Sequence, residues 1–101
     1  MDHYSTAEWR KRRAHYLQAH FTCACGCGGQ ATEVNHRVPR RMLMALGIHD
    51  PDHARWLQAL THSCHSRTTR MVDVPLLERW RAGEDARKLA QEAMELTEGV
   101  G

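Results

Sequence analysis

The sequence predicts a small α+β domain with helices at both ends, two short strands between them, and a Cys/Gly-rich knuckle ahead of the first strand. Three observations carry this. Apolar residues recur at helical spacing near each end, as Trp9, Tyr16 and Leu17 and as Ala86, Leu89, Ala90, Ala93 and Met94. Two β-rich runs, residues 31–38 and 57–60, lie in the middle. Cys23, Cys25 and Cys27 crowd together before the first of them, and Cys64 follows the second. A chain of 101 residues with three Trp, two Tyr and one Phe has a modest core. Domains of this size often need a covalent or metal staple.

In chain order, Ser5 and Glu8 form a Ser-x-x-Glu capping box that opens the first helix. Trp9, Arg13, Tyr16, Leu17 and His20 follow at helical spacing, with Trp9, Tyr16 and Leu17 as core contacts, while Arg10 to Arg13 spread around the axis. Residues 21–30 form the knuckle, where Gly26, Gly28 and Gly29 permit tight turns. The first strand, 31–38, stops at Pro39. Residues 42–46 suit a short helix ending at Gly47, and Asp50-Pro51 suits a capped helix start of one or two turns. Residues 57–60 form the second strand. A helix then begins near Ser63 with His65 in its first turn. Val74-Pro75 interrupts the pattern, which resumes over 76–81 with Trp80. The last helix covers 84–97, and Gly99 follows its end. We divide the chain into residues 1–72, which hold the candidate chemistry, and a helical extension, 73–101, that covers the back of the domain or meets a partner.

Charge follows the same division. Residues 1–72 hold ten Lys/Arg against five Asp/Glu, a balance of +5, and include every Cys and His; residues 73–101 hold four against seven, a balance of −3. Positive charge beside potential chemistry suggests a polyanionic substrate. No apolar run suits a signal peptide or a membrane span, so the expected location is the cytoplasm, with no membrane partner. Thiols stay reduced there, and clustered cysteines then favour metal over disulfides.

Two constellations carry the chemistry. Cys23, Cys25 and Cys27, with Cys64 some forty residues later, have the spacing of a structural tetrahedral zinc site. Cys23, Cys27 and Cys64 supply three ligands, and the fourth is Cys25 or His62. A regular knuckle would carry a further cysteine where this chain has Thr61. The second constellation is Asn35 and His36 at the end of the first strand, with His65 at the start of a helix. Phosphodiester hydrolysis needs a base for water and a cation for the charge on the phosphate and leaving oxygen. Histidine suits the base, and an Asn oxygen with an imidazole could hold a divalent ion beside it.

The run Cys23-x-x-Gly26-Cys27-Gly28, followed by Ala31-Thr32-Glu33-Val34-Asn35-His36-Arg37-Val38-Pro39, resembles the front half of the zinc-containing HNH endonucleases common in phages and bacteria. Leu57-Gln58-Ala59-Leu60, with Cys64-His65-Ser66-Arg67-x-Thr69, resembles the back half, and Trp9-Arg10-Lys11-x-Arg13 is similar to that family's leading helix. The likeness covers roughly residues 6–70. It implies a ββα-metal fold, in which a two-stranded hairpin and a helix grip one catalytic ion and zinc fastens the loops behind. It further implies His36 as general base and Asn35 and His65 as ligands of the catalytic ion, which is Mg²⁺, Mn²⁺, Co²⁺, Ni²⁺ or Zn²⁺. DNA is the implied substrate, with Arg37, Arg40, Arg41, Arg67 and Arg70 as phosphate contacts. A phage terminase or another DNA-processing protein is the implied partner. The chain departs from the family at Asn35, where Asp is usual, at Thr61, and at Trp56, where an Asn would brace the base loop and where His53 or Gln58 could substitute. These departures support an alternative, a catalytically degenerate zinc module that binds DNA or a protein partner.

Overall fold

Thr6, rather than Ser5, caps the first helix. In the computed structural model, which describes residues 3–98, the Thr6 hydroxyl oxygen accepts from the Trp9 backbone N–H at 3.2 Å, and helix α1 runs Ala7–Ala19. The expected Gly99 stop lies outside the described residues. Trp9, Tyr16 and Leu17 turn inward against Val34 and Leu57, and the Tyr16 hydroxyl donates to the Leu57 carbonyl.

Strand β1 (Glu33–His36) pairs antiparallel with β2 (Leu57–Leu60), Glu33 facing Leu60 and His36 facing Leu57. The first strand is shorter than expected because its partner is short. Trp56 ends a 3-10 turn before β2, and Thr61 already caps the next helix. The two strands are not a simple hairpin, since helix α2 (Arg40–Ala45) stands between them. Asp50-Pro51 opens no helix. The Asp50 carboxylate instead accepts from Arg12 of α1 at 2.9 Å and from the Asp52 backbone N–H, which makes a turn. A single 3-10 turn, Ala54–Trp56, follows.

Helix α3 (His62–Thr68) starts at the expected place. Val74-Pro75 does not interrupt the chain there as expected. Residues Thr69–Asp73 form a π-helical turn that leads directly into α4 (Val74–Arg81). A proline ring in an α-helix collides with the carbonyl four residues back and lacks an N–H. Here the Val74 N–H reaches back five residues to Thr69, and the wider turn accommodates Pro75 without ending the helical path. Helix α5 (Ala86–Leu96) is capped by the Asp85 side chain.

The largest core joins α2 to α4 and α5. Val38, Met42, Leu43, Leu76, Leu89, Ala90 and Ala93 are buried together, with Trp80 and Met94 packed against them. Residues on both sides of position 72 therefore share one apolar interior. The architecture is a small α+β domain with a two-stranded sheet, helices at both ends, and a thiol cluster at the sheet's far end. Among the described residues, no helix is long and apolar enough to cross a membrane.

Candidate functional site

The knuckle folds back on β2 and α3. Gly26 and Gly28 take φ of 80° and 82°, which L side chains rarely adopt. Gly29 is needed for a different reason, because a Cβ there would meet Thr61 Cγ2 at 2.7 Å. The Cys23 backbone N–H donates to the Gly29 carbonyl and Thr22 bridges Gln30, which closes the loop.

The loop brings Cys23, Cys25, Cys27 and Cys64 together, with their four sulfurs all within 4.8 Å of one another. Cys25 Sγ lies 3.2 Å from Cys23 Sγ and 2.7 Å from Cys64 Sγ. His62 is not part of this cluster. It is exposed, and its Nδ1 lies 2.6 Å from Glu33 Oε2. Thr61, in the place of a knuckle cysteine, donates its backbone N–H to Cys23 Sγ at 3.3 Å while its hydroxyl oxygen caps α3. Burial pushes the Cys23 thiol up, but hydrogen bonds from the backbone of Cys25 and Thr61 and from the Cys25 and Cys27 thiols outweigh it and bring it to about 6. The bond to Cys64 and burial push Cys25 the other way, up to about 12. Thiols this close titrate as a set and share their protons. Four sulfurs this close fit a structural metal ion and could chelate one, and thiolates favour Zn²⁺.

A cleft of about 520 Å³ opens on the other side of α3. Asn35 and His36 reach it from β1, His65 from α3, Arg40, Arg41 and Met44 from α2, and Asp73 and Leu77 from the helical path beyond α3. Both predicted histidines are held by carboxylates. His36 Nε2 lies 2.8 Å from Asp52 Oδ1, and its ring stacks on Trp9 with centroids 5.1 Å apart. Asp52 also accepts from Arg40 Nε at 3.0 Å. Burial pushes the Asp52 carboxyl up, but the bonds from Arg40 and His36 prevail and hold it below its usual range. Burial holds His36 below the usual imidazole value against the pull of Asp52, so it is neutral at neutral pH. An ionised Asp52 accepts the Nε2 proton, which leaves Nδ1 as the basic nitrogen. His65 Nδ1 lies 2.6 Å from Glu33 Oε1, and the bond from His65 holds the Glu33 carboxyl low despite burial. The same logic leaves His65 Nε2 free for a ligand, as carboxylate partners do for metal-binding histidines.

Asn35 is only 4% exposed, and its Nδ2 has no hydrogen-bond partner. Asp73 likewise has a buried Oδ1 without a partner, and burial pushes its carboxyl up to about 6 against the attraction of His65. Orphaned buried polar atoms are rare in native interiors and mark places where a ligand, ion or water belongs.

The predicted arginines separate. Arg41 lines the cleft and is exposed, and Arg40 lines it while paired to Asp52. Arg37 turns toward the end of α5, donating from Nε to Thr97 Oγ1 at 3.0 Å and from Nη2 to the Met94 carbonyl at 2.8 Å. It ties the end of β1 to the end of the C-terminal helix and lies outside the cleft lining. Arg67 and Arg70 are exposed on α3 and the π turn and lie outside the cleft lining. The expected substitutes for the missing brace do not touch His36 either. His53 Nδ1 accepts from the Arg55 backbone N–H, and Gln58 Nε2 donates to the Thr97 carbonyl. Asp52 holds the His36 ring instead.

Sequence reasoning missed Asp52 and Asp73. Asp52 is sixteen positions from the imidazole it holds, across α2. Asp73 falls eight positions after His65, a spacing that sits about 80° off its face in a regular α-helix and is brought closer by the π turn between them. Compared with protein-family models, with curated proteins and with solved structures, the chain matches none.

Proposed function

We propose that this chain is a metal-dependent DNA endonuclease of the HNH type, with a ββα-metal core formed by β1, β2 and α3. The observation that supports this most is the convergence of Asn35, His36 and His65 on one cleft, each histidine oriented by its own carboxylate. A divalent ion held by the Asn35 side-chain oxygen and His65 Nε2 would stabilise charge on the phosphate and the leaving oxygen. His36 Nδ1 takes a proton from water, and Asp52 holds the ring and stabilises the imidazolium that results. Trp9 fixes the opposite face of the ring and limits its rotation. Arg41 offers a phosphate contact at the rim, and Arg40 serves mainly to hold Asp52. Zn²⁺ on the four cysteines would fasten the knuckle to α3 behind the cleft. Cleavage of packaged or invading DNA, in company with a phage terminase or another DNA-processing protein, suits such an enzyme.

The test is nicking of supercoiled plasmid by zinc-loaded protein with each divalent ion in turn. A site with an imidazole nitrogen among its ligands follows the general affinity order for nitrogen-containing sites, so activity should appear with Mn²⁺, Co²⁺ or Ni²⁺ at lower concentration than with Mg²⁺. His36→Ala should lower the rate by about 10²–10⁴ while zinc content and the unfolding midpoint stay near the parent's. Inactivity of the parent on double-stranded, nicked and single-stranded DNA with every ion would replace this reading with that of a zinc module that binds DNA or a protein.

A further inference from the structure

Asn35 leaves the proposed ion site without a negative charge of its own. Both ligands, an amide oxygen and a neutral imidazole, are uncharged, yet hard divalent cations favour carboxylate oxygens. We propose that Asp73 supplies that carboxylate and binds the divalent ion together with Asn35 and His65. This rests on the nuclease reading above and extends the site across the π turn.

Three independent features point to Asp73. The first is position, since it lines the same cleft as Asn35, His36 and His65. The second is its unmet bonding. Its Oδ1 is buried with no hydrogen-bond partner, and no Lys or Arg pairs with it among the described residues, although Arg40 and Arg41 line the same cleft. A buried carboxylate is retained when it is paired, hydrogen-bonded or bound to a cation. Asn35 is more than nine-tenths buried on the strand side of the same cleft, where its side-chain oxygen is the atom that could meet the ion; its unpartnered Nδ2 is a donor and asks for an acceptor instead.

The third feature is the backbone. Eight residues of α-helix, at about 100° each, would carry Asp73 about 80° around the axis from His65. The π turn Thr69–Asp73 absorbs one residue, so the pair returns to within about 20° of the same face. Single π turns carry poorer hydrogen bonding than α-helix and recur at functional sites. Here the turn has two effects, accommodating Pro75 and aiming a carboxylate into the cleft.

The experiment measures Mn²⁺ binding to the zinc-loaded full chain by electron paramagnetic resonance, with the unfolding midpoint recorded before Mn²⁺ is added. Asp73→Asn keeps shape and removes the charge, and should weaken Mn²⁺ binding at least tenfold, comparably to His65→Ala. The midpoint without Mn²⁺ should be no lower than the parent's, which a structural role for Asp73 would not predict. Asn35→Asp introduced into the Asp73→Asn protein should restore most of the binding, because it returns one carboxylate to the same ion. If Asp73→Asn binds Mn²⁺ like the parent while His65→Ala does not, Asp73 is no ligand and the nuclease reading stands. If the parent itself binds no Mn²⁺ and nicks no DNA, both fall.

Discussion

The thiol cluster and the cleft lie on two sides of α3, yet they treat their polar atoms in opposite ways. In the cluster, each sulfur has a close neighbour, and backbone N–H groups of Gly29 and Thr61 point at two of them. In the cleft, two carboxylates hold two imidazoles, while an Asn amide and an Asp oxygen have nothing to bond. The first site is built to be closed, since a structural metal takes all four positions from protein. The second is left incomplete, as the proposed catalytic ion would require, since such an ion must leave positions to water and substrate. That contrast separates fastening from chemistry more clearly than residue type does, for both sites use residues that bind metals.

The largest effect expected on this contrast is at the closed site. Cys64→Ser should abolish zinc retention and unfold the chain. A structural zinc contributes on the order of 10–16 kcal/mol, as much as the whole stability of an ordinary domain. Metal analysis and circular dichroism would test it, and a folded Cys64→Ser protein that kept its zinc would erase the distinction. His62→Ala, by comparison, should leave zinc content unchanged.

A smaller effect is expected from the carboxylate behind His36, the proposed base. Asp52→Asn should slow nicking by about 10–100-fold, the usual cost of removing an orienting partner, with zinc content and Mn²⁺ affinity unaltered. An unchanged rate would show that Trp9 alone orients His36.

The smallest effect concerns stability and pH at the open site. An unfolded Asp titrates near 3.9, whereas burial holds Asp73 at about 6. The native state therefore keeps this proton to higher pH than the unfolded chain. Between about pH 4 and 6 the unfolded state ionises first and the fold loses stability, and above about pH 6 the loss is complete. Zinc-loaded Asp73→Asn, without added Mn²⁺, should consequently unfold at a higher temperature than the parent at pH 8, with a smaller gain at pH 5. An equal gain at both values would mean that burial of the charge is not the cause.

The features legible in the sequence were those that depend on near neighbours. The thiol knuckle, β2, and the apolar face of α5 come from spacing over a few residues, and all three lie where expected. The cap at Thr6 in place of Ser5 is a contest between adjacent hydroxyls that spacing does not decide. Long-range geometry was hidden. Nothing local says that Asp50 bonds Arg12 instead of capping a helix, that Arg37 latches α5, or that Asp52 reaches His36 around α2. Pro75 misled for a related reason, since a proline reads as a stop unless the turn before it widens.

Cys64 and His65 are consecutive on α3, so one peptide unit joins the thiol cluster to the cleft. Neighbours on a helix project about 100° apart, and the angle between the two sites is fixed by that geometry. The knuckle then acts as a set screw for the imidazole. An ion with longer bonds to sulfur than zinc would push α3 outward and carry His65 with it. Replacing Zn²⁺ by Cd²⁺ is therefore a way to retune the cleft by fractions of an ångström without changing any residue in it.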